Sequence, residues 1–247
     1  MDVQTKNRAR MEPYIKVLGS GSKGNCVILS DSRGKTLVID MGVRFDAVLK
    51  GLKYNTRDLV GALCSHRHKD HSKYIPKLIE MGIDVYANDD VASEFPKCKP
   101  LHTPLMLDGF KVSTFGVDHD VENNAFIIDT YDGVRVLYVT DARYIQFTVR
   151  HVNYAIIECN HDDAIIHDNS DQGVMNYSQS YNHLDKTRCA DYINAIKSSD
   201  LHGVILFHLS STNIDASEAK KYVMSTTGLK DVYVAKRGLE IPLEYDF

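Results

Sequence analysis

Five short apolar runs in this 247-residue chain each lead to an aspartate or a histidine, and that pattern limits the fold severely. Leu37-Val38-Ile39 leads to Asp40, Ala62-Leu63-Cys64 to His66, and Leu137-Tyr138-Val139 to Asp141. Val112 to Val117 leads to His119, and Ile205-Leu206-Phe207 to His208. Short runs rich in β-branched and aromatic residues read as buried strands. Groups just past the ends of packed strands converge on one edge, where a rigid frame can preorganise ligands. A chain of this length can bury a sizeable core as one domain.

The densest strand-end segment is Ser65-His66-Arg67-His68-Lys69-Asp70-His71. Three imidazoles and a carboxylate at this spacing suit borderline divalent cations such as Zn²⁺. One tetrahedral site has no room for all four plus an open position for substrate. Two adjacent metals do, if His119, Asp141 and His208 complete the shells. In an extended turn His66 and His68 can aim at one metal while Asp70 and His71 swing to a second. Asp141 has two carboxylate oxygens and can bridge two metals, which a neutral imidazole cannot. Asp40 is expected to orient the His66 turn from behind the metals, and Ser210 to help hold His208 or substrate.

Three further motifs point to a substrate side. Gly19-Ser20-Gly21-Ser22-Lys23-Gly24 has the spacing of a dinucleotide loop, but the following Asn25-Cys26-Val27-Ile28-Leu29 reads as a strand. A dinucleotide site needs a helix to open there. The better reading is a tight loop in which Gly21 and Ser22 offer backbone N–H groups to an anion. His161 and His183 bracket a polar stretch, and either can bind phosphate or protonate a leaving oxygen.

The remaining pattern predicts strands over 14–18, 25–29, 36–40, 59–64, 85–87, 110–117, 125–130, 134–140, 154–159, 204–207, 232–234 and 239–242. It predicts helices over 43–54, 74–81, 90–95, 184–198 and 216–225, with a long polar loop containing some helix over 160–183. Residues 1–12 read as a flexible tail and 13–247 as a single domain. The net charge is −4. It divides unevenly, since residues 1–77 hold 15 Lys/Arg against 7 Asp/Glu. That basic half can face a phosphate ligand, unless folding interleaves it with the acidic remainder. Five cysteines without a CxxC pair point to a reducing compartment. No apolar run approaches the ~20 residues of a membrane span, and the polar N-terminus lacks a signal core, so a cytoplasmic location is expected.

Together these motifs resemble the metallo-β-lactamase superfamily over residues 14–242. Asp40, the His66–His71 string, His119, Asp141 and His208 match its five motifs in order. Leu18 to Cys26, Asn160-His161-Asp162, Asn182-His183-Leu184 and His208-Leu209-Ser210 are similar to its WalJ/YycJ branch, a more distant relation of ribonuclease Z. The resemblance implies an α/β (α+β) fold: an αββα four-layer sandwich, two mixed β-sheets flanked by helices. It implies two divalent metal ions per chain, Zn²⁺ first and Mn²⁺ second. His66, His68 and His119 would hold one, Asp70, His71 and His208 the other, with Asp141 between them. The implied activity is that of a DNA exonuclease-type phosphodiesterase in which a hydroxide shared by the metals attacks phosphorus. Asp70 would steer that hydroxide, and the leaving oxygen would take its proton from His183 or from metal-bound water.

The expected partner is nucleic acid or a nucleotide, not a membrane, and a homodimer is allowed. Three stretches depart from the pattern. Ser72-Lys73-Tyr74 follows the string where glycine is usual, Asn182 stands where the branch has glycine, and Ser211-Thr212-Asn213 only partly matches the stretch after the fifth motif. The alternative substrate is a small cyclic nucleotide. An open basic trench fed by Arg67, Lys69 and Lys73 favours the polymer, and a pocket roofed by residues 160–183 or by a second copy favours the small ligand. A non-catalytic, metal-stabilised binding protein and a glyoxalase-type thioester hydrolase are the other classes.

Overall fold

Strands that are apolar on both faces have to be covered on both faces, and the architecture answers that demand. The computed structural model of the chain describes residues 10–171 and 180–245. One seven-stranded sheet contains β1 (Tyr14–Gly19), β2 (Cys26–Ser30), β3 (Thr36–Ile39), β4 (Leu59–Leu63), β5 (Val85–Ala87), β6 (Lys99–Pro100) and β14 (Glu240–Pro242), in the order β14-β1-β2-β3-β4-β5-β6. The other contains β7 (Leu105–Leu107), β8 (Phe110–Val117), β9 (Asn123–Thr130), β10 (Arg135–Val139), β11 (Tyr154–Glu158), β12 (Gly203–Phe207) and β13 (Val232–Val234), in the order β13-β12-β11-β10-β9-β8-β7. The helices are α1 (Phe45–Gly51), α2 (Lys69–Ser72), α3 (Ile75–Glu80), α4 (Asp89–Glu94), α5 (Asp163–Asp171), α6 (Lys186–Ile196) and α7 (Ala216–Thr227).

Period-two alternation sorts each strand between two cores. Val27, Leu29, Leu37, Ile39 and Leu63 of the first sheet meet Phe126, Ile128, Val136, Tyr138, Ile156 and Phe207 of the second in a central layer. The opposite faces carry Ile28, Val38 and Ala62 against Val48 of α1 and Leu78 of α3. In the second sheet they carry Leu137, Ala155, Ile157 and Leu206 against Ile193 of α6 and Val223 of α7. The four layers are therefore helix, sheet, sheet, helix, as the resemblance implied.

Each sheet is antiparallel in one half and parallel in the other. Pairings β3–β4 and β4–β5 are parallel, as are β10–β11 and β11–β12. Open parallel sheets bind ligands beyond the carboxyl ends of their strands. Those ends here lead to Asp40, His66, Asp141, Glu158 and His208. Among the described residues, no helix is long and apolar enough to cross a membrane.

The expected elements recur with ends shifted by at most three residues. The other differences are additions. α2 lies inside the histidine string, and the short strands β6 and β7 join two edges, none of them anticipated. The helix expected within the 160–183 loop is α5, while 172–179 lie outside the described residues. So do residues 1–9 of the expected tail. Met11 within that tail donates its N–H to the Ser32 carbonyl at 2.8 Å.

Candidate metal centre

Three residues that follow strands take left-handed backbone: Asp40 (φ 57°), Asp141 (φ 51°) and His208 (φ 52°). Aspartate and histidine enter this region more readily than most side chains. The sharp turn halts each strand and leaves the functional group at its end. The histidine string is fixed from below by backbone bonds. Asn25 N–H donates to the Asp70 carbonyl at 2.7 Å, and Met41 N–H to the His71 carbonyl at 2.6 Å. Gly42 lies so close beneath this turn that a Cβ there would sit 1.6 Å from the Asp70 carbonyl oxygen.

Three overlapping groups of donors result among the described residues; two of them divide the seven expected ligands, and the third joins Asp141 and His208 to Glu158 and His183. His66, His68 and His119 bring one nitrogen each to within 4.8 Å of the others. His68 Nδ1 and His119 Nε2 stand 3.3 Å apart. His66 Nδ1 is 3.0 Å from Ser65 Oγ, and His119 Nδ1 is 3.2 Å from the Asn182 carbonyl. The second group is Asp70, His71, Asp141 and His208. His71 Nε2 lies 3.0 Å from Asp141 Oδ2 and 3.4 Å from Asp70 Oδ2. His208 Nε2 lies 3.3 Å from Asp70 Oδ2 and 3.6 Å from Asp141 Oδ1. Asp40, expected behind the metals, sits 2.7 Å from His71 Nδ1 and also accepts from Ser65 N–H and Oγ.

The electrostatics differ between the groups. Burial, helped by charge on His71, pushes His66 well below the usual imidazole range. Burial also lowers His119. In the second group burial opposes charge and is outweighed. Asp141 and Asp40 hold His71 well above the usual range, and Asp141, Asp70 and Glu158 raise His208 to about 10. Burial would raise Asp70 and Asp141, but His208 and His71 hold both carboxyls below the ordinary carboxylate range. Carboxylates and imidazoles that balance one another in this way can also balance a cation.

A divalent cation fits these residues. His66 Nε2 is buried with no hydrogen-bond partner, an arrangement that is costly unless something else satisfies the nitrogen. It belongs to the group that already gathers His68 and His119 nitrogens. All seven side chains offer nitrogen or oxygen, the donor set of zinc and its neighbours.

No family model matches the chain. Curated relatives do match, two of them as follows. One is exodeoxyribonuclease YycJ from Bacillus anthracis, 26% identical over 168 residues, covering 60% of this chain and 63% of the relative. The other is exodeoxyribonuclease WalJ from Streptococcus pneumoniae, 27% identical over 175 residues, covering 62% of this chain and 65% of the relative. Each match thus spans a little under two thirds of the relative's own length. Among solved structures, the metallo-β-lactamase fold protein YhfI from Bacillus subtilis superposes with a TM-score of 0.73 at 20% identity, covering 94% of this chain and 99% of that one. The chain has the metallo-β-lactamase fold. The similarity to the WalJ/YycJ branch is likewise borne out by the two relatives.

On this metallo-β-lactamase frame the substrate-side residues separate. His183 reaches the centre: its Nδ1 is 2.6 Å from Glu158 Oε1 and 3.5 Å from Asp141 Oδ1. Burial works against charge on His183, and Glu158 reverses it, raising the pKa. His161 is buried, with Nε2 3.2 Å from Asp163 Oδ1. Gly21 N–H is already committed to Asn25 Oδ1 at 2.7 Å. Ser22 is exposed on the same loop. The Ser210 hydroxyl faces Thr212 and the Asn213 N–H, while Asn160 Nδ2 and Glu158 Oε1 each lie 3.2 Å from His208 Nδ1. Ser20 Oγ accepts the His208 N–H at 2.8 Å.

Glu158, Asn25, Asn160 and Tyr138 were not anticipated in this site. Glu158 carried the right signal, since it ends the apolar run Ala155-Ile156-Ile157 as Asp40 ends its own. Two of the departures from the resemblance also find roles. Ser72 Oγ donates to the Arg67 carbonyl at 2.7 Å, and Asn182 Oδ1 accepts from Arg143 at 2.5 Å.

Proposed function

We propose that this chain is a metal-dependent phosphodiesterase that removes nucleotides from the ends of DNA. One observation carries the reading: two adjoining nitrogen and oxygen donor groups stand at the carboxyl ends of parallel strands. The names of the curated relatives supply the substrate class.

His66, His68 and His119 would hold one divalent cation, and Asp70, His71 and His208 a second, with Asp141 serving both. Two such ions, zinc or manganese, supply positive charge against the phosphoryl oxygens and make water acidic enough to attack at neutral pH. The chain's own groups do the rest. Asn25 Nδ2 lies 3.2 Å from Asp70 Oδ2 and fixes the carboxylate that aligns the attacking water. Glu158 keeps His183 charged and holds its Nδ1, which leaves Nε2–H to protonate the departing oxygen.

Beside these groups lie exposed rings suited to unpaired bases. Tyr144 and Tyr181 are 58% and 62% exposed. Arg143 immediately precedes Tyr144 in sequence, and its guanidinium sits 6.0 Å from the Tyr181 ring. A groove of about 320 Å³ lined by Tyr144, Ile145, Leu184 and Tyr192 runs alongside. Aromatic faces next to arginine stack nucleobases without regard to sequence.

A small cyclic nucleotide is the second reading, and the pairing of basic residues favours it. Arg67 bonds Asp90 at 2.8 Å, and Lys69 bonds Glu94 at 2.7 Å, so two of the three cations expected to feed a trench are neutralised. The deciding experiment offers the Zn²⁺- or Mn²⁺-loaded protein end-labelled single- and double-stranded DNA beside cyclic mononucleotides. The exonuclease reading expects stepwise loss of end nucleotides, abolished in Asp70→Ala. Turnover of cyclic nucleotides alone would replace it with the second reading, and binding without turnover would refute both.

A further inference from the structure

Two arms of chain leave the candidate centre and run to one groove. The first starts at Asp141 and continues through Ala142 and Arg143 to Tyr144; the second passes from His183 to Leu184. Both rest on the same atom, since Ala142 N–H and Leu184 N–H donate to Glu158 Oε2 at 2.8 and 3.1 Å. Arg143 straps the arms together. Its Nε–H donates to the Tyr181 carbonyl at 3.0 Å, and a terminal N–H donates to Asn182 Oδ1 at 2.5 Å. The first arm is also held beside His119. Arg143 N–H donates to the Asp118 carbonyl at 2.7 Å, and Asp118 N–H donates to the Tyr144 carbonyl at 3.3 Å. Tyr144 and Leu184 then line the groove.

Three features indicate the occupant. The first is the concentration of bare rings. Of the five exposed aromatic side chains among the described residues, Tyr144, Phe147 and Tyr181 lie on these arms or within three residues of them. Clustered exposed apolar surface marks a binding site, and ring faces beside an arginine suit nucleobases. The second is direction. His183, the residue proposed to protonate the departing oxygen, immediately precedes Leu184 of the groove wall. The base within reach is the one on the nucleotide that carries that oxygen. The third is size. A volume of about 320 Å³ is at the small end of ligand pockets, a scale for one flat ring system and not for a duplex.

We propose that this groove, with Tyr144 on its wall and Tyr181 across Arg143, binds the nucleobase on the leaving side of the scissile phosphate, and binds it unpaired. Inside a duplex a base has its faces covered by its neighbours and its edge by its partner, so it must leave the stack to meet a tyrosine face. The proposal rests on the exonuclease reading and adds the strand state at the cut. Arg143 is the positioning residue that keeps the two arms at one spacing.

The test gives the Zn²⁺- or Mn²⁺-loaded protein end-labelled single strands with one abasic nucleotide on either side of the scissile bond. The products identify the leaving side, because the phosphate stays with the other nucleotide. An abasic nucleotide on the leaving side is expected to lower kcat/KM by about 5–150-fold, and one on the other side to change it little. Combining Tyr144→Ala with Tyr181→Ala is expected to raise KM on the intact strand and to erase the difference between intact and abasic strands, at wild-type metal content. Combining Tyr144→Phe with Tyr181→Phe keeps both rings and is expected to restore that difference. Duplexes with mismatched terminal pairs are expected to be cut faster than fully paired blunt ends.

An equal effect of the abasic nucleotide on both sides would overturn the proposal, as would discrimination that survives in the double alanine variant. Blunt ends cut as fast as mismatched ones would overturn it too. A groove that instead joins two copies of the chain would leave DNA cutting intact in the double alanine variant and lower its sedimentation coefficient, which would also refute the proposal. A wild type that cuts no DNA would sink the exonuclease reading itself, whereas cutting without these differences would sink only the role of the groove.

Discussion

Tyr138 shows how far a single hydroxyl reaches. It is wholly buried on β10, in the central layer between the sheets, and donates to Asp40 Oδ2 at 2.6 Å. The same oxygen receives Ser65 Oγ at 3.0 Å and His71 Nδ1 at 2.7 Å. Tyr138→Phe keeps the ring and removes one donor from a buried carboxylate. A loss of about 1–3 kcal/mol is expected, read by chemical denaturation of the metal-free protein. In the sequence Tyr138 is only the middle of an apolar run, because its partner lies 98 positions away. Asp40, by contrast, was legible from its place just past a strand. His183 invites a sharper experiment. Its proposed task is to protonate the leaving oxygen, so His183→Ala is expected to slow DNA hydrolysis by about 10²–10⁴-fold. Bis(p-nitrophenyl) phosphate, whose leaving group needs no proton, is expected to suffer far less. Equal losses on both substrates would contradict the acid role.

Elements succeed or fail to announce themselves according to how much apolar surface they bury. β11 and β12 are buried at every position, and their Tyr-Ala-Ile-Ile and Val-Ile-Leu-Phe runs were readable as strands. β6 is two exposed residues, Lys99 and Pro100, paired to the edge of β5. α2 is Lys-Asp-His-Ser, with no apolar period, and its place is set from outside by Asn25 and Met41. Gly42 is the contact on which that placement depends. Gly42→Ala would force a Cβ into the Asp70 carbonyl oxygen, which is backbone and has little freedom to give way. We expect about 1–3 kcal/mol of destabilisation or more, together with lower metal affinity of the second group, since Asp70 and His71 move with α2. Wild-type melting temperature and metal content in this variant would show that the turn is not held from below.

The molecule as a whole is a rigid sandwich that carries soft chemistry on one edge. Its central layer is filled by side chains from both sheets, so a cavity there should loosen the frame that brings distant donors together. Phe207, fully buried and one residue before His208, is the sensitive point. Phe207→Ala is expected to cost about 3–5 kcal/mol, seen as a lowered denaturation midpoint, and to weaken metal binding through His208. The four-layer plan was legible through the resemblance, while the apolar runs by themselves said only that the strands are covered on both faces. The division of the donors into groups was legible only in outline, since spacing does not say which nitrogen turns inward or that Glu158 approaches. The central claim is that two divalent ions sit side by side at this edge. Anomalous diffraction at the zinc absorption edge, from crystals of Zn²⁺-loaded protein, tests it directly. The account predicts two neighbouring peaks, one among His66, His68 and His119 and one among Asp70, His71, Asp141 and His208. No peak at these residues, or zinc bound only elsewhere on the chain, would contradict it.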